Sequence, residues 1–173
     1  MTAPVWLVTG GPGAGKTTVC AALAHRYDHS IHVKADEFGV WSDAGHDSDA
    51  WAHDPAARGA ARRSAAFVAL QYSTAGYAAV VDDTIEDEPE ADEYAALGPR
   101  KVLLLPSLDI ALARNAARTN KPPGDAPRLA TIAHRLHEPM RRAHTASRGW
   151  FILDTSELDV AATVDAILAH YPL

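Results

Sequence analysis

A complete phosphate-binding loop near the start of the chain constrains its fold more than any other feature. The loop, residues 10–17, reads GGPGAGKT. The run Val5–Thr9 before it is apolar, as in a buried strand, and the segment 18–27 after it has helical periodicity. A strand, a glycine-rich turn and a helix N-terminus together direct backbone N–H groups and the helix dipole toward a bound anion. This order of elements predicts a nucleoside triphosphate site.

The side chains of the loop are those that triphosphate chemistry requires. Lys16 is expected to reach the β- and γ-phosphates, and the Thr17 hydroxyl is expected to ligate Mg²⁺. The dinucleotide fingerprint does not fit, because Lys16 occupies the place of its last glycine. The glycines allow the backbone to approach the phosphates closely. The nucleotide-binding residues predicted here are Gly11, Pro12, Gly13, Ala14, Gly15, Lys16, Thr17 and Thr18.

Composition narrows the classes of partner. The chain has 173 residues, 47% of them hydrophobic and 22% charged, which predicts one globular domain over 1–173. A monomer and a homodimer are both left open by the sequence. A net charge of −6 argues against binding to nucleic acid or to an anionic membrane. We see neither a membrane-spanning run nor a signal peptide. The single cysteine, Cys20, excludes an internal disulfide, so we expect a cytoplasmic protein in which Cys20 packs inside.

Four more short apolar runs follow the first strand. They cover residues 31–34, 78–81, 101–105 and 150–153, with helical segments between them. This repeated βα pattern predicts an α/β fold with a parallel sheet and helices on both faces. Because ligands in such sheets bind beyond the carboxyl ends of the strands, the residues after each strand are the candidates for a site.

Carboxylates follow the second and third strands. Asp36 stands where a phosphoryl acceptor would lie, and a carboxylate there can orient a hydroxyl and accept its proton; capping the next helix is the alternative role. Asp82 and Asp83 end the third strand, and because neighbours on a strand face opposite sides, only one of them can serve Mg²⁺. We assign Asp82 to the metal, through water, and Asp83 or Thr84 to the acceptor; the reverse assignment stays open.

Arginines flank a proline-rich break in the second half of the chain. Arg114 and Arg118 are four residues apart on a predicted helix, the segment 119–127 contains three prolines and a glycine, and a helix resumes near Arg128. This pattern predicts a lid over about 112–142 that closes on the triphosphate, with Arg118 and Arg128 as catalytic residues beside Asp36 and Lys16. An arginine over the transferring group supplies roughly 10³- to 10⁵-fold in rate. Stacking on the base and a solvated helix face are the alternatives.

The acceptor is expected to bind within about 36–75. A helix predicted over 56–73 carries two arginines four residues apart, and aromatic residues precede it. Aromatic walls with cationic groups are typical of a ligand pocket, although packing tryptophans and solvent arginines would give the same pattern. The predicted acceptor-binding residues are Phe38, Trp41, Trp51, Arg58, Arg62 and Asp83.

The nine histidines do not predict a metal site. His25 and His29, and likewise His134 and His137, have helical spacing, but no H-E-x-x-H motif or cysteine pair accompanies them. We expect these four histidines on the surface.

Taken together, these motifs resemble the small P-loop kinases, which include adenylate, shikimate and gluconate kinases. The resemblance is closest to the AAA-type small-molecule kinases that include chloramphenicol phosphotransferase. It rests on the loop 10–17, on Asp36 after the second strand, on the segment 80–83, and on Arg114 and Arg118 at the start of the lid.

The resemblance implies a P-loop NTPase three-layer sandwich with a five-stranded parallel sheet in the order 2-3-1-4-5 and a helical lid. It also implies γ-phosphoryl transfer from ATP, with Mg²⁺, to a hydroxyl of a small acceptor such as a sugar, a nucleoside or an antibiotic-like molecule. GTP remains an alternative donor. In this pattern Arg114 stacks on the adenine, Arg118 meets the phosphates, and Asp36 is the acid on the acceptor side.

Two other functions fit a phosphate-binding loop. A nucleotide-driven switch ATPase is disfavoured because the chain is short and offers no obvious arginine for a neighbouring subunit. A polynucleotide-end kinase is disfavoured by the acidic charge balance and by the absence of a basic stripe.

Overall fold

A five-stranded parallel sheet forms the centre of the molecule. The computed structural model describes residues 2–41, 54–118 and 125–171. The strands pair in the order β2-β3-β1-β4-β5, and every pairing is parallel, as predicted. Their bounds are β1 Val5–Thr9, β2 Ser30–Lys34, β3 Ala78–Asp82, β4 Arg100–Leu104 and β5 Trp150–Leu153.

Seven α-helices connect or follow the strands in the described part of the chain. They are α1 Lys16–Ala24, α2 Ala35–Val40, α3 Pro55–Thr74, α4 Glu88–Asp92, α5 Leu108–Ala116, α6 Asp125–Ala143 and α7 Val160–His170. The helix predicted over 56–73 is α3, and the helix predicted to resume near Arg128 is α6. None of these helices is long and apolar enough to cross a membrane.

Each face of the sheet carries its own apolar core, because alternate residues of a strand point to opposite faces. On one face Leu7 packs with residues of α3 and α6, including Ala65 and Met140. On the other face Trp6 and Val8 pack with residues of α1 and α7. The result is the predicted three-layer sandwich, and β1 is buried over its whole length.

The first helix is shorter than its periodicity predicts. It ends at Ala24 rather than near Tyr27, because the chain tightens there: the N–H groups of Arg26 and Tyr27 donate to carbonyls only three residues back. The Tyr27 hydroxyl accepts a hydrogen bond of 2.9 Å from the Trp6 indole. Cys20 is fully buried on the sheet side of α1, as expected.

Candidate active site

The phosphate loop connects the carboxyl end of β1 to the N-terminus of α1. Gly13 and Gly15 have φ values of +85° and +90°, which favour glycine. Gly15 is also the N-cap of α1, so no side chain of the capping residue occupies the first N–H groups of that helix. The Lys16 ammonium donates a hydrogen bond of 2.7 Å to the Gly10 carbonyl, which holds the ammonium across the phosphate loop. The first N–H groups of α1 are therefore presented to an anion, as the sequence predicts.

Thr17 and Asp82 meet beside the loop. The register of β1 and β3 places Val8 opposite Asp82, and the Thr17 hydroxyl donates to the Asp82 carboxylate at 2.7 Å. Burial by itself would raise the pKa of Asp82, but His32, Lys16 and Thr17 outweigh it and lower the pKa below its ordinary value. An ionised carboxylate beside a hydroxyl is a hard oxygen pair that fits Mg²⁺, so these two side chains could hold that ion.

Asp83 points to the other face of the sheet and is bound by three donors. It accepts hydrogen bonds from Arg62 at 3.1 Å, from the Tyr94 hydroxyl at 2.9 Å and from the Thr84 N–H at 2.7 Å. Burial raises the pKa of Asp83 to about 6, although the Arg62 charge opposes the rise. Asp82 and Asp83 thus lie on opposite sides, as the strand geometry predicts, and Asp82 is the one that contacts the phosphate loop.

Asp36 is an exposed side chain in the first turn of α2. The N-cap of α2 is Lys34, so Asp36 does not cap the helix. No other described residue donates a hydrogen bond to the Asp36 carboxylate. Asp36, Lys16 and Thr17 all line one cavity of about 440 Å³. The structure therefore brings the Asp36 carboxylate to the same cavity as the phosphate loop.

The predicted acceptor arginines are paired with acids in this cavity. Arg58 donates to Glu90 at 2.7 Å and to Glu86 at 3.2 Å. Arg62 is 6% exposed and pairs with Glu90 at 2.9 Å in addition to Asp83. Both guanidinium groups line the cavity, and their positive charge is balanced by the acids that follow β3.

The aromatic residues predicted for the acceptor pocket divide into two groups. The Phe38 and Trp41 rings contact each other in a tilted arrangement with centroids 4.8 Å apart, and Trp41 is 70% exposed. Neither residue is among those that line the cavity. Phe38 also packs against the apolar core. Trp51 lies outside the described residues. The structure thus places an exposed aromatic surface at the end of α2.

The lid arginines are arranged differently from the sequence prediction. Arg114, in the last turn of α5, donates to the Thr155 carbonyl at 2.8 Å and contacts the Thr155 hydroxyl at 3.3 Å. Arg118 does not share a helix face with it, because α5 ends at Ala116 and the Arg118 N–H turns back to the Asn115 carbonyl. Arg118 nevertheless lines the cavity.

In α6 the arginine that lines the cavity is Arg135, whereas Arg128 is not among the lining residues. Arg135 lies seven residues after Arg128, two helical turns further on, and forms an ion pair with Glu86 at 3.2 Å. The sequence does not single out Arg135, Lys34 and Glu86, all of which line the cavity. The acidic run 86–93 could have indicated these residues, because so many carboxylates near a phosphate site require cationic side chains close by.

Three of the four histidines at helical spacing, His25, His29 and His134, are exposed as predicted. The fourth, His137, is half-buried and lies 2.8 Å from the Pro106 carbonyl, so its surface prediction is wrong. It is drawn inward because α6 packs that side of its last turns against the loop after β4.

Comparisons with known proteins agree with this geometry. A family model described as an AAA domain (AAA_33) matches residues 5–139 of the chain. No curated protein sequence matches. Three solved structures are similar over nearly their whole length. The tunicamycin resistance protein of Deinococcus radiodurans is 21% identical, with 99% of this chain and 96% of that chain covered and a TM-score of 0.69. The shikimate kinase of Bacteroides thetaiotaomicron is 13% identical, with 98% of this chain and 99% of that chain covered and a TM-score of 0.70. A gluconokinase of Sinorhizobium meliloti is 17% identical, with 97% of this chain and 90% of that chain covered and a TM-score of 0.67. At these identities the likeness shows a shared fold, that of the P-loop small-molecule kinases.

Proposed function

The chain belongs to the AAA domain family AAA_33, and from that premise we propose that it is a small-molecule kinase. The reaction is transfer of the γ-phosphoryl group of ATP to a hydroxyl of a small acceptor. The observation that carries the proposal is that the Asp36 carboxylate and the phosphate loop line the same cavity. The kinases among the structures of the same fold support it.

The donor side uses the loop and the strand ends beside it. The N–H groups at the start of α1 hold the phosphates, and Lys16 moves from the Gly10 carbonyl to the β- and γ-phosphates. Thr17 and Asp82 are the residues that would hold Mg²⁺, which when bound neutralises charge on the phosphates. Arg118, two residues beyond the end of α5, lines the cavity. In this proposal it contacts the transferring group. The same contacts would accept GTP.

The acceptor side uses Asp36. A carboxylate that receives no hydrogen bond from another described residue can accept one from the acceptor hydroxyl, which orients the oxygen for in-line attack on the γ-phosphorus. The proton passes to Asp36 late in the reaction, as the new O–P bond forms and the bond to the leaving ADP oxygen breaks.

The charges around the cavity favour an uncharged acceptor. Arg58 and Arg135 share the Glu86 carboxylate, and Arg58 and Arg62 share Glu90. To bind these arginines, a carboxylate on the acceptor would have to displace Glu86 from both of them. The acceptor carboxylate would then lie beside the Glu86 carboxylate, and the two like charges would repel. Hydroxyl groups can instead accept from the guanidinium groups and donate to the carboxylates. A sugar, a nucleoside or an antibiotic-like alcohol meets this requirement, and the side chains of Leu129, Ile132 and Leu136 give the cavity an apolar wall.

One of the similar structures is a tunicamycin resistance protein, which makes an antibiotic-like alcohol a first candidate. Another is a gluconokinase, whose name refers to a hydroxy acid, so hydroxy acids are the comparison set for the acceptor.

Mass spectrometry of reaction mixtures tests the proposal. The protein is incubated with Mg²⁺ and ATP against uncharged sugars, nucleosides and hydroxylated antibiotics, and in parallel against hydroxy acids. We expect a product heavier by one phosphoryl group in the uncharged set. Rapid ATP hydrolysis with no phosphorylated product in either set would contradict the kinase and favour the switch ATPase. A phosphorylated hydroxy acid alone would contradict the uncharged acceptor and leave the kinase intact.

A further inference from the structure

Three side chains of types that bind transition metals come together beneath the phosphate loop. Cys20 lies on the buried side of α1, His32 on β2 and Asp82 at the end of β3. One ligand atom from each lies within 4.8 Å of the other two. In the described ranges no other three histidine, cysteine or acidic residues approach one another in this way. The sequence spacing gives no sign of the group, because the three residues come from three separate elements.

The histidine of this group has an unsatisfied nitrogen. His32 Nε2 is buried and makes no hydrogen bond, and the nearest Asp82 oxygen is 3.5 Å away. A buried polar atom without a partner costs free energy and is uncommon in folded proteins. The Cys20 sulfur is fully buried on the adjoining side. An ion bound between the three groups would satisfy the His32 nitrogen.

We propose that Cys20, His32 and Asp82 form a site for a thiophilic divalent ion such as Zn²⁺ or Cd²⁺. A tetrahedral ion with bonds of roughly 2.0–2.3 Å requires ligand atoms about 3.3–3.7 Å apart. His32 Nε2 and the nearest Asp82 oxygen are already 3.5 Å apart, so the ligand pairs that involve the Cys20 sulfur would close by at most about 1 Å on binding. When the sulfur binds the ion, the thiol proton leaves to solvent.

The donor set separates this site from the one expected for Mg²⁺. Mg²⁺ prefers hard oxygen ligands and keeps several waters, whereas a thiolate and an imidazole select softer ions. Asp82 belongs to both sets, because it also accepts the Thr17 hydroxyl at 2.7 Å. An ion held by Cys20 and His32 therefore competes with Mg²⁺ and nucleotide for the same carboxylate.

The single cysteine makes the proposal directly measurable. Because Cys20 is the only thiol in the chain, an ultraviolet charge-transfer band from thiolate to Cd²⁺ reports this residue alone. The intact protein is titrated with Cd²⁺ in a buffer that does not chelate it. We expect one equivalent to bind with appearance of the band. Absence of the band in the wild-type protein would overturn the proposal without any variant.

Two variants and a control test the ligand set. Cys20→Ser should abolish the band, and both Cys20→Ser and His32→Gln should weaken Cd²⁺ binding at least about tenfold, since each removes one of three ligands. His29→Gln, which changes an exposed histidine, should leave the affinity unchanged. Circular dichroism verifies that each variant is folded. Unchanged affinity in folded Cys20→Ser would overturn the assignment.

Competition with nucleotide tests the shared carboxylate. Saturating Mg²⁺ with a non-hydrolysable ATP analogue should lower the apparent Cd²⁺ affinity at least about tenfold. Equal affinities with and without the analogue would overturn the competition. The absorption readout does not require phosphoryl transfer, so its result is independent of whether the kinase proposal is correct.

Discussion

Replacing Gly13 with alanine tests how tightly the phosphate loop packs against α5. A Cβ added at Gly13 would lie 2.1 Å from the Ala111 carbonyl oxygen and 2.8 Å from the carbonyl carbon. These are backbone atoms of a helix, so they cannot rotate away as a side chain can. Even a tight contact of 3.0 Å requires the loop or the helix to move by about 0.9 Å.

The expected cost has two parts. A non-glycine residue at φ +85° costs about 1–2 kcal/mol, and the steric overlap adds about 1–3 kcal/mol. The sum is about 2–5 kcal/mol, which for a chain of this size lowers Tm by roughly 4–20 °C. Gly149→Ala is the matched control: its φ is +81° and an added Cβ meets nothing within 4 Å. That variant should lose only the backbone part, roughly 2–8 °C.

Thermal unfolding and isothermal titration with Mg²⁺ and ATP measure both effects. Gly13→Ala should unfold at a lower temperature than Gly149→Ala and bind the nucleotide at least about tenfold more weakly, because a shifted loop misaligns the N–H groups that hold the phosphates. Gly149→Ala should keep the wild-type affinity. If the two variants match in both Tm and affinity, the close packing of the loop on α5 is refuted.

Three further changes test other parts of the site and the core. Glu86→Gln removes the carboxylate that two arginines share, so the ratio of kcat/KM for an acidic acceptor to kcat/KM for an uncharged one should rise about tenfold. Glu93→Gln, which lies outside the cavity, is the control and should leave this ratio unchanged. The same ratio in Glu86→Gln and wild type would argue against charge selection. Thr17→Val should raise the Mg²⁺ concentration needed for half-maximal activity about 10- to 100-fold, whereas Thr17→Ser, which keeps the hydroxyl, should leave it unchanged. A normal Mg²⁺ requirement in the valine variant would contradict the role of the hydroxyl as a metal ligand. Burial lowers the pKa of His144 below its ordinary 6.5, so its contribution to stability is present above pH 6.5 and is lost as the pH falls through the folded-state value. Urea unfolding at about pH 7.5 and about pH 5 should therefore show a smaller acid loss for His144→Gln than for wild type, and equal losses would contradict the assignment.

The sheet was predictable because most of its strands are short apolar runs next to a helical segment; β2, with Ser30, His32 and Lys34, is the exception. Runs such as Val5–Thr9 must be buried on both faces, and such strands form parallel sheets between helices. The strand order came from the family resemblance. The positions of Asp36 and Asp82 at the carboxyl edge of the sheet were predictable in the same way, because that prediction requires only the positions where the strands end.

The partners of the charged residues could not be predicted from the sequence. Arg62 lines the cavity, but the sequence gives no sign of its ion pair with Asp83, because the two meet only where α3 packs on β3. The end of α5 at Ala116 has no glycine or proline to mark it, so the helix face that Arg118 was predicted to share with Arg114 does not form. In α6 the choice between Arg128 and Arg135 depends on how the helix is rotated against the sheet, which only the packed structure fixes.

The rate of phosphoryl transfer by the Asp36→Asn variant tests the proposed chemistry most directly. With an acceptor found in the panel, product formation is followed by mass spectrometry for wild type and variant, and ATP affinity is measured on the same preparations. We predict that the rate falls about 10²- to 10⁴-fold while the ATP affinity stays at the wild-type value. An unchanged rate with an unchanged ATP affinity would contradict the role of Asp36 as the base.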